Sequence, residues 1–400
     1  EKCTGVYREV FAILKADDWI LLPVFLQLHN LQSFKVIREE NYLYVDKSDI
    51  VWNMVNLGDK YNYLSRPRRF GKSVLVDTLE SYLEGRKDLF EGLKIMQLEK
   101  DWKQYPVIRL DMSRGGASED TLRSYLNLRF KDYEEKYNIT PDPTAMLADR
   151  FHAIIATAYK QTGLRVAVLI DEYDSPLQHS WRTPEHEKCT GVYREVFAIL
   201  KADDEYEHFV FIIGITKFTQ ISLFSVLNNL SNISFMPEYA AICGITEEEI
   251  EENFMPEIRQ MSEANNWSIQ ETHDRLKAYY DGYHFSRRNM VDVYNPYSLV
   301  NALKSKEIIN FWASSGATSL LPKFVDNAEL RLSKFENCSV MRNTLELSDV
   351  SGGGAELFLY QSGYLTIKDS DEFGYILGFP NEEVKQALYE YYGEDLTAGR

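Results

Sequence analysis

The sequence predicts an α/β fold built on a parallel β-sheet, and three observations predict it. Two apolar runs, Val166–Ile170 and Phe209–Ile215, read as strands buried on both faces. Helical segments alternate with these and with two earlier strands, the spacing of a parallel sheet. A glycine-lysine-serine triplet, Gly71-Lys72-Ser73, stands where the strand Tyr61–Ser65 turns into a helix over about 72–83. The chain has 400 residues, more than one ordinary domain needs, so two or three packed units are expected. With 44% hydrophobic residues, 21 Phe and 26 Tyr, it can fill sizeable cores.

The chain opens on an internal identity. Residues 1–18, EKCTGVYREVFAILKADD, recur unchanged at 187–204. A solenoid would show several diverged copies at a regular period; this is one copy, read as a recent duplication, a gene-model error or an engineered addition. In the second copy Tyr193, Val196, Phe197 and Leu200 make an i, i+3, i+4, i+7 stripe between two strong strands. The second copy is therefore the expected structural one, and the first a loosely held helix or disordered. The apolar run Trp19–Leu28 contains Pro23 and follows Asp17 and Asp18 without a basic leader. It is far shorter than the roughly 20 residues a bilayer span needs. A soluble, cytoplasmic protein is expected, with residues 1–32 an atypical extension.

Residues 33–235 read as the α/β core. Val107–Asp111 is its second strand, followed by helices over Thr121–Tyr137 and Thr144–Gln161. Beyond residue 235 the pattern changes to amphipathic helices, Glu247–Ala264, Ser268–Tyr280 and Pro296–Lys304, with no strong strand between them. This predicts a helical lid over 236–327. Short helices then lead to Leu357–Ser362, and Tyr364–Lys368 and Tyr375–Gly378 flank a DSDEFG turn. Helices followed by a hairpin predict a winged-helix-like unit over 328–380, with 381–400 a linker.

Net charge is −17, which argues against a surface that coats nucleic acid as a whole. Cys3, Cys189, Cys243 and Cys338 are scattered, as reduced thiols are. The seven histidines show no ligand spacing, so none is expected to bind metal.

The chemistry lies at two places a hundred residues apart. Backbone N–H groups of a glycine-lysine loop and the first helical turn converge on an anion. Gly71 lets the backbone approach, Lys72 reaches the β- and γ-phosphates, and the Ser73 hydroxyl can ligate Mg²⁺. The usual pattern is G-x-x-x-x-G-K-S/T, and here its first glycine position is Arg66. Val166–Ile170 then ends in Asp171-Glu172, where open α/β sheets bind ligands. Asp171 is expected to hold the Mg²⁺ shell and Glu172 to deprotonate the attacking water. The next strand ends in Thr216-Lys217, and Thr216 is the candidate reader of the γ-phosphate. The expected nucleotide contacts are Arg66, Arg68, Arg69, Phe70, Gly71, Lys72, Ser73 and Val74.

At these residues the sequence resembles the AAA-ATPase-like family of bacterial and archaeal proteins. The resemblance covers about Ser33 to Tyr389 and rests on LSRPRRFGKS (64–73), VLIDEYDSPL (168–177), GITKFTQISLFSVLNNLSNIS (214–234), YYDGYHF (279–285), VYNPYSL (293–299) and LFLYQSGYLTI (357–367). It implies a P-loop ATPase core of the ASCE type, with the acidic catalytic residue on an added strand. It also implies ATP and Mg²⁺ as cofactors, tolerance of arginine at position 66, and roles for Lys72, Ser73, Asp171 and Glu172. Many relatives carry a C-terminal PD-(D/E)XK nuclease-like domain after a segment similar to LGFPNEEVKQAL (377–388). No such signature follows it in this sequence, so no cleavage activity is expected.

Tyr42, Tyr44, Asp46 and Lys47 precede the loop as candidate adenine walls, and Arg287 and Arg288 as candidate trans-acting arginines. The expected function is Mg²⁺-dependent ATP hydrolysis that moves the lid and winged-helix-like unit, acting on DNA by analogy. The alternatives are a slow nucleotide-gated switch and, less favoured, a small-molecule kinase.

Overall fold

The computed structural model describes residues 33–392, apart from 143, 219–229, 289–290, 316–320, 326–331 and 349–353. The first copy of the repeat and the Trp19–Leu28 run lie outside the described residues. Strands β1 (Tyr61–Ser65), β2 (Val107–Asp111), β3 (Val166–Asp171), β4 (Glu207–Gly214) and β5 (Ser231–Asn232) form one parallel sheet in the order β2-β3-β4-β1-β5. β3 is buried along its whole length, as its unbroken apolar run requires. β4 lies between the loop strand β1 and the carboxylate strand β3, which is the added strand of an ASCE-type P-loop core. Short, polar β5 carries no sequence signal and pairs with β1 only at Ser231 and Asn232.

Helix boundaries follow their caps. The first long helix starts at Glu119 rather than Thr121, because Ser118 and Thr121 make a reciprocal capping box. The next runs over Leu147–Thr162 and stops at Gly163, whose φ of 68° suits glycine. The second copy of the repeat forms the helix Glu185–Phe197 and a short turn after it, with Tyr193, Val196, Phe197 and Leu200 buried.

In the lid region, the single expected helix over Glu247–Ala264 is two, Glu247–Asn253 and Met255–Asn265. Pro256 is the cause: it has no N–H to continue the first helix but is well placed in the opening turn of the second. With Ile269–Tyr280 and Pro296–Ser305 these helices enclose their own apolar core, including Phe254, Ile258, Met261 and Leu299.

Toward the C-terminus, β6 (Cys338–Met341), β7 (Thr366–Ser370) and β8 (Gly374–Gly378) form an antiparallel sheet in the order β6-β8-β7. Helices Arg342–Glu346 and Gly354–Ser362 join β6 to β7. This unit shares the main core: Phe358 stacks on Phe324 at 4.4 Å, and Tyr360 lies 5.8 Å from Phe235. The expected linker is corrected in part. Residues Glu382–Tyr392 are a helix, capped by Asn381 and anchored by buried Val384, Ala387 and Leu388.

Candidate functional site

β1 delivers the chain into a loop with two left-handed residues, Arg69 (φ 71°) and Gly71 (φ 79°). Gly71 precedes the helix Lys72–Leu83 without a side-chain cap, so the first-turn N–H groups face the cavity unspent. That cavity, about 450 Å³, is lined by Arg68 through Leu75, by Glu172, Asp174, Ser175, Gln178 and His179, and by lid residues.

Lys72 is buried, and its ammonium donates to the Pro67 carbonyl at 2.9 Å. Burial pushes its pKa down, against the pull of Glu172, Asp174 and Asp171. Asp171 ends β3 close enough to the Ser73 hydroxyl for the two to interact. Burial raises the Asp171 pKa, with Arg109, Lys72 and Ser73 opposing. Glu172 is likewise raised by burial and lowered by Lys72. It sits at φ 45°, a costly conformation for glutamate. A hydroxyl beside a carboxylate and an anion cradle is a donor set that suits Mg²⁺, which takes few protein ligands and completes its shell with phosphate and water. No group of three His, Cys, Asp or Glu able to hold a metal alone occurs among the described residues.

Of the expected contacts, Arg68, Arg69, Phe70, Gly71, Lys72, Ser73 and Val74 line the cavity together. The Arg69 guanidinium lies 4.8 Å over the Tyr297 ring of the lid. Arg66 does not reach the cavity. It is buried on the far side of the loop, donating to the carbonyls of Ser65, Ser234 and Tyr239 at 2.8–2.9 Å and stacking on Phe285. Thr216 is also turned away. Its hydroxyl and N–H donate to Asp174 Oδ2 at 2.7 and 2.6 Å, and Gln178 donates to its Oγ1 at 2.9 Å. Both side chains bind partners distant in sequence, so their placement had no local signal.

At the apolar end, Leu43, Tyr44 and Val45 face Ile245, Phe254 and Val300 across the cavity. Lys47 joins this wall and is held by Glu249 of the lid at 2.5 Å. Tyr42 and Asp46 are not in the lining, and Asp46 caps Ser48 and Lys94 instead. Arg287 and Arg288 are not in it either, and Arg287 lies 3.5 Å from Glu346. Arg109 on β2 belongs to no motif of the sequence. It bonds Asp77 and Glu80 and lies 3.8 Å from Asp171; an arginine inside the apolar strand VIRLD was the available signal.

Fold and site together define a P-loop nucleotide-binding protein. Residues 29–224 match the family described as Predicted AAA-ATPase. An uncharacterised protein from the vnfD 5′ region of Azotobacter chroococcum mcd 1 is 32% identical over 370 residues, covering 90% of this chain and 68% of that protein. The chain belongs to this AAA-ATPase-like family. Among solved structures it resembles the Aeropyrum pernix Orc1 protein in complex with DNA (12% identity, TM-score 0.27, 85% of this chain and 89% of that one). Cdc6p from Pyrobaculum aerophilum is similar at 12% identity and TM-score 0.28, over 92% and 98% of the two chains. Overlaps this loose add nothing to the geometry above. No helix among the described residues is long and apolar enough to cross a membrane.

Proposed function

We propose that this chain binds Mg·ATP between the phosphate loop and the lid and hydrolyses it. One observation carries the reading: Lys72, Ser73 and Glu172 line one cavity, with Asp171 beside them at the end of β3. The loop N–H groups and Lys72 hold the triphosphate, and Leu43, Tyr44, Val45, Phe254 and Val300 suit the base. Mg²⁺ would be held by Ser73 and, through water, Asp171; when bound it would neutralise charge on the phosphate oxygens. Glu172 takes a proton from the attacking water, a task its burial favours by raising its basicity. The lid closes over the site through Lys47–Glu249 and Arg69–Tyr297.

The test is ATP binding and phosphate release for the parent, Lys72→Ala and Glu172→Gln. Lys72→Ala is expected to lose binding, and Glu172→Gln to bind with turnover down at least ~100-fold. A parent that binds no ATP sinks the proposal.

The nucleotide-gated switch is the second reading, favoured by the packing of the C-terminal unit on the phosphate loop. A Cβ at Gly363 (φ 89°) would collide with Pro67, whose carbonyl holds Lys72. The Lys217 N–H donates to Gln361 and its ammonium to the Glu346 carbonyl. ATP binding without phosphate release would decide for the switch. The unit's strand, helices and hairpin are ordered as a winged helix would be, yet they are poorly charged for DNA. Gly354–Ser362 contains no Lys or Arg, and the hairpin tip holds Asp369, Asp371 and Glu372. DNA acted on by this chain would meet another face; filter binding of duplex DNA across salt checks this.

A further inference from the structure

Asp174 lines the nucleotide cavity and is buried, and the hydrolysis scheme above gives it no role. One of its oxygens, Oδ2, collects four donors. These are the Ile215 N–H at 3.1 Å, the Thr216 N–H at 2.6 Å, the Thr216 hydroxyl at 2.7 Å and the Gln178 amide. The other oxygen packs where a Cβ at position 214 would stand, so only glycine fits there. Three donors belong to the tip of β4, the strand beside Glu172's own. The preceding residue adds to the same seam: the Tyr173 N–H donates to the Ile213 carbonyl at 3.1 Å, and its hydroxyl to the Thr216 carbonyl at 2.7 Å.

Glu172 is therefore held between two fixed points. On one side Asp171 ends β3; on the other, Tyr173 and Asp174 are bonded to β4. A glutamate left to itself would abandon φ 45°, and such a conformation persists only where its surroundings impose it. We propose that Asp174 is a positioning residue for hydrolysis, which by binding the tip of β4 holds Glu172 in its left-handed conformation and so aims its carboxylate into the cavity beside Lys72. This rests on the ATPase reading above. Nucleotide binding depends chiefly on the loop at 67–74; the hydrogen bonds of Asp174 go to Gln178, Ile215 and Thr216 instead, and it acts on Lys72 only through its charge, so its loss is expected to fall mainly on turnover rather than on affinity.

The experiment measures kcat, ATP Kd and thermal midpoint for the parent, Asp174→Ala, Asp174→Asn, Thr216→Val, Glu172→Gln and the double variant Asp174→Ala/Glu172→Gln. Asp174→Ala is expected to lower kcat at least ~30-fold while Kd stays within about threefold. Asp174→Asn keeps an acceptor oxygen for the same donors and is expected to restore most of the rate. Thr216→Val removes one of the four donors without touching the carboxylate. It is expected to lower kcat about threefold to tenfold with Kd unchanged, and carries the test if Asp174→Ala does not fold. The double variant is expected to be no slower than Glu172→Gln alone, because a residue acting through Glu172 has nothing left to position.

Parental rates in folded Asp174→Ala, or in Thr216→Val should the alanine variant not fold, would overturn the proposal. So would a loss in the double variant that multiplies the two single losses. A parent that binds ATP without releasing phosphate takes down the ATPase reading and this proposal together, and is distinguished by being seen before any variant is compared.

Discussion

Arg66 stands where the common phosphate-loop pattern has glycine, and its side chain explains how the loop manages without one. The guanidinium ties three carbonyls, two of them from the segment after β5, and stacks on Phe285. It works as a brace behind the loop rather than as a phosphate ligand. Arg66→Gly, which would bring the sequence closer to the common pattern, is expected to destabilise the chain by about 3 kcal/mol in urea unfolding. Equal stability with tighter ATP binding would show that the arginine is only tolerated. The same contrast marks what was legible at this scale. The placement of Lys72, Ser73, Asp171 and Glu172 was legible because it follows from contiguous strand-loop-helix segments. Arg66, Thr216 and Asp174 were not, because their partners come from segments brought near only by the sheet.

Among the elements, the buried strands and most helices were readable from periodicity, and the failures have local causes. Pro256 divides a lid helix whose apolar spacing runs on through it. β5 is too short and polar to show a pattern. The helix Glu382–Tyr392 falls in the expected linker, yet its Glu383 is a principal anchor. That buried carboxylate accepts the Phe311 and Trp312 N–H groups at 2.8 and 2.9 Å, joining the last helix to the end of the lid. Burial raises its pKa from an ordinary 4.5 to about 7. The folded chain therefore keeps a proton that the unfolded chain has released, and stability falls as pH rises from about 4.5 to about 7, then levels. Asp281, raised to about 6, adds to the same slope. Glu383→Gln can still accept both N–H groups and is expected to remove about half of this fall, roughly 3 kcal/mol at pH 8. Urea midpoints from pH 4.5 to 8 check it, and an unchanged slope would mean the carboxylate is ionised throughout.

At the scale of the molecule, the lid has its own core while the C-terminal unit shares that of the sheet. A sequence shows where apolar stripes begin and end, but not which stripe faces which, so the expected division into core, lid and C-terminal unit could not reveal this asymmetry. The repeat shows the limit from the other side. Identical residues at 1–18 and 187–204 carry identical local propensities, and what places the second copy is its position between β3 and β4.

The sheet order also has a consequence for synthesis. β1 pairs with β4, Tyr61 against Val210, and in the other direction only with the two residues of β5. When the phosphate loop leaves the ribosome, its strand therefore has no neighbour, and waits for about 150 residues more, on the order of ten seconds at bacterial rates. β2, β3 and β4 pair as consecutive neighbours and close shorter loops, so they are expected to assemble first. Pulse-labelled hydrogen exchange during refolding should find the amides of β3 protected before those of β1. The cavity at the phosphate loop is then among the last features to form, and on the proposed reading a nascent chain holds no ATP until residue 214 has emerged.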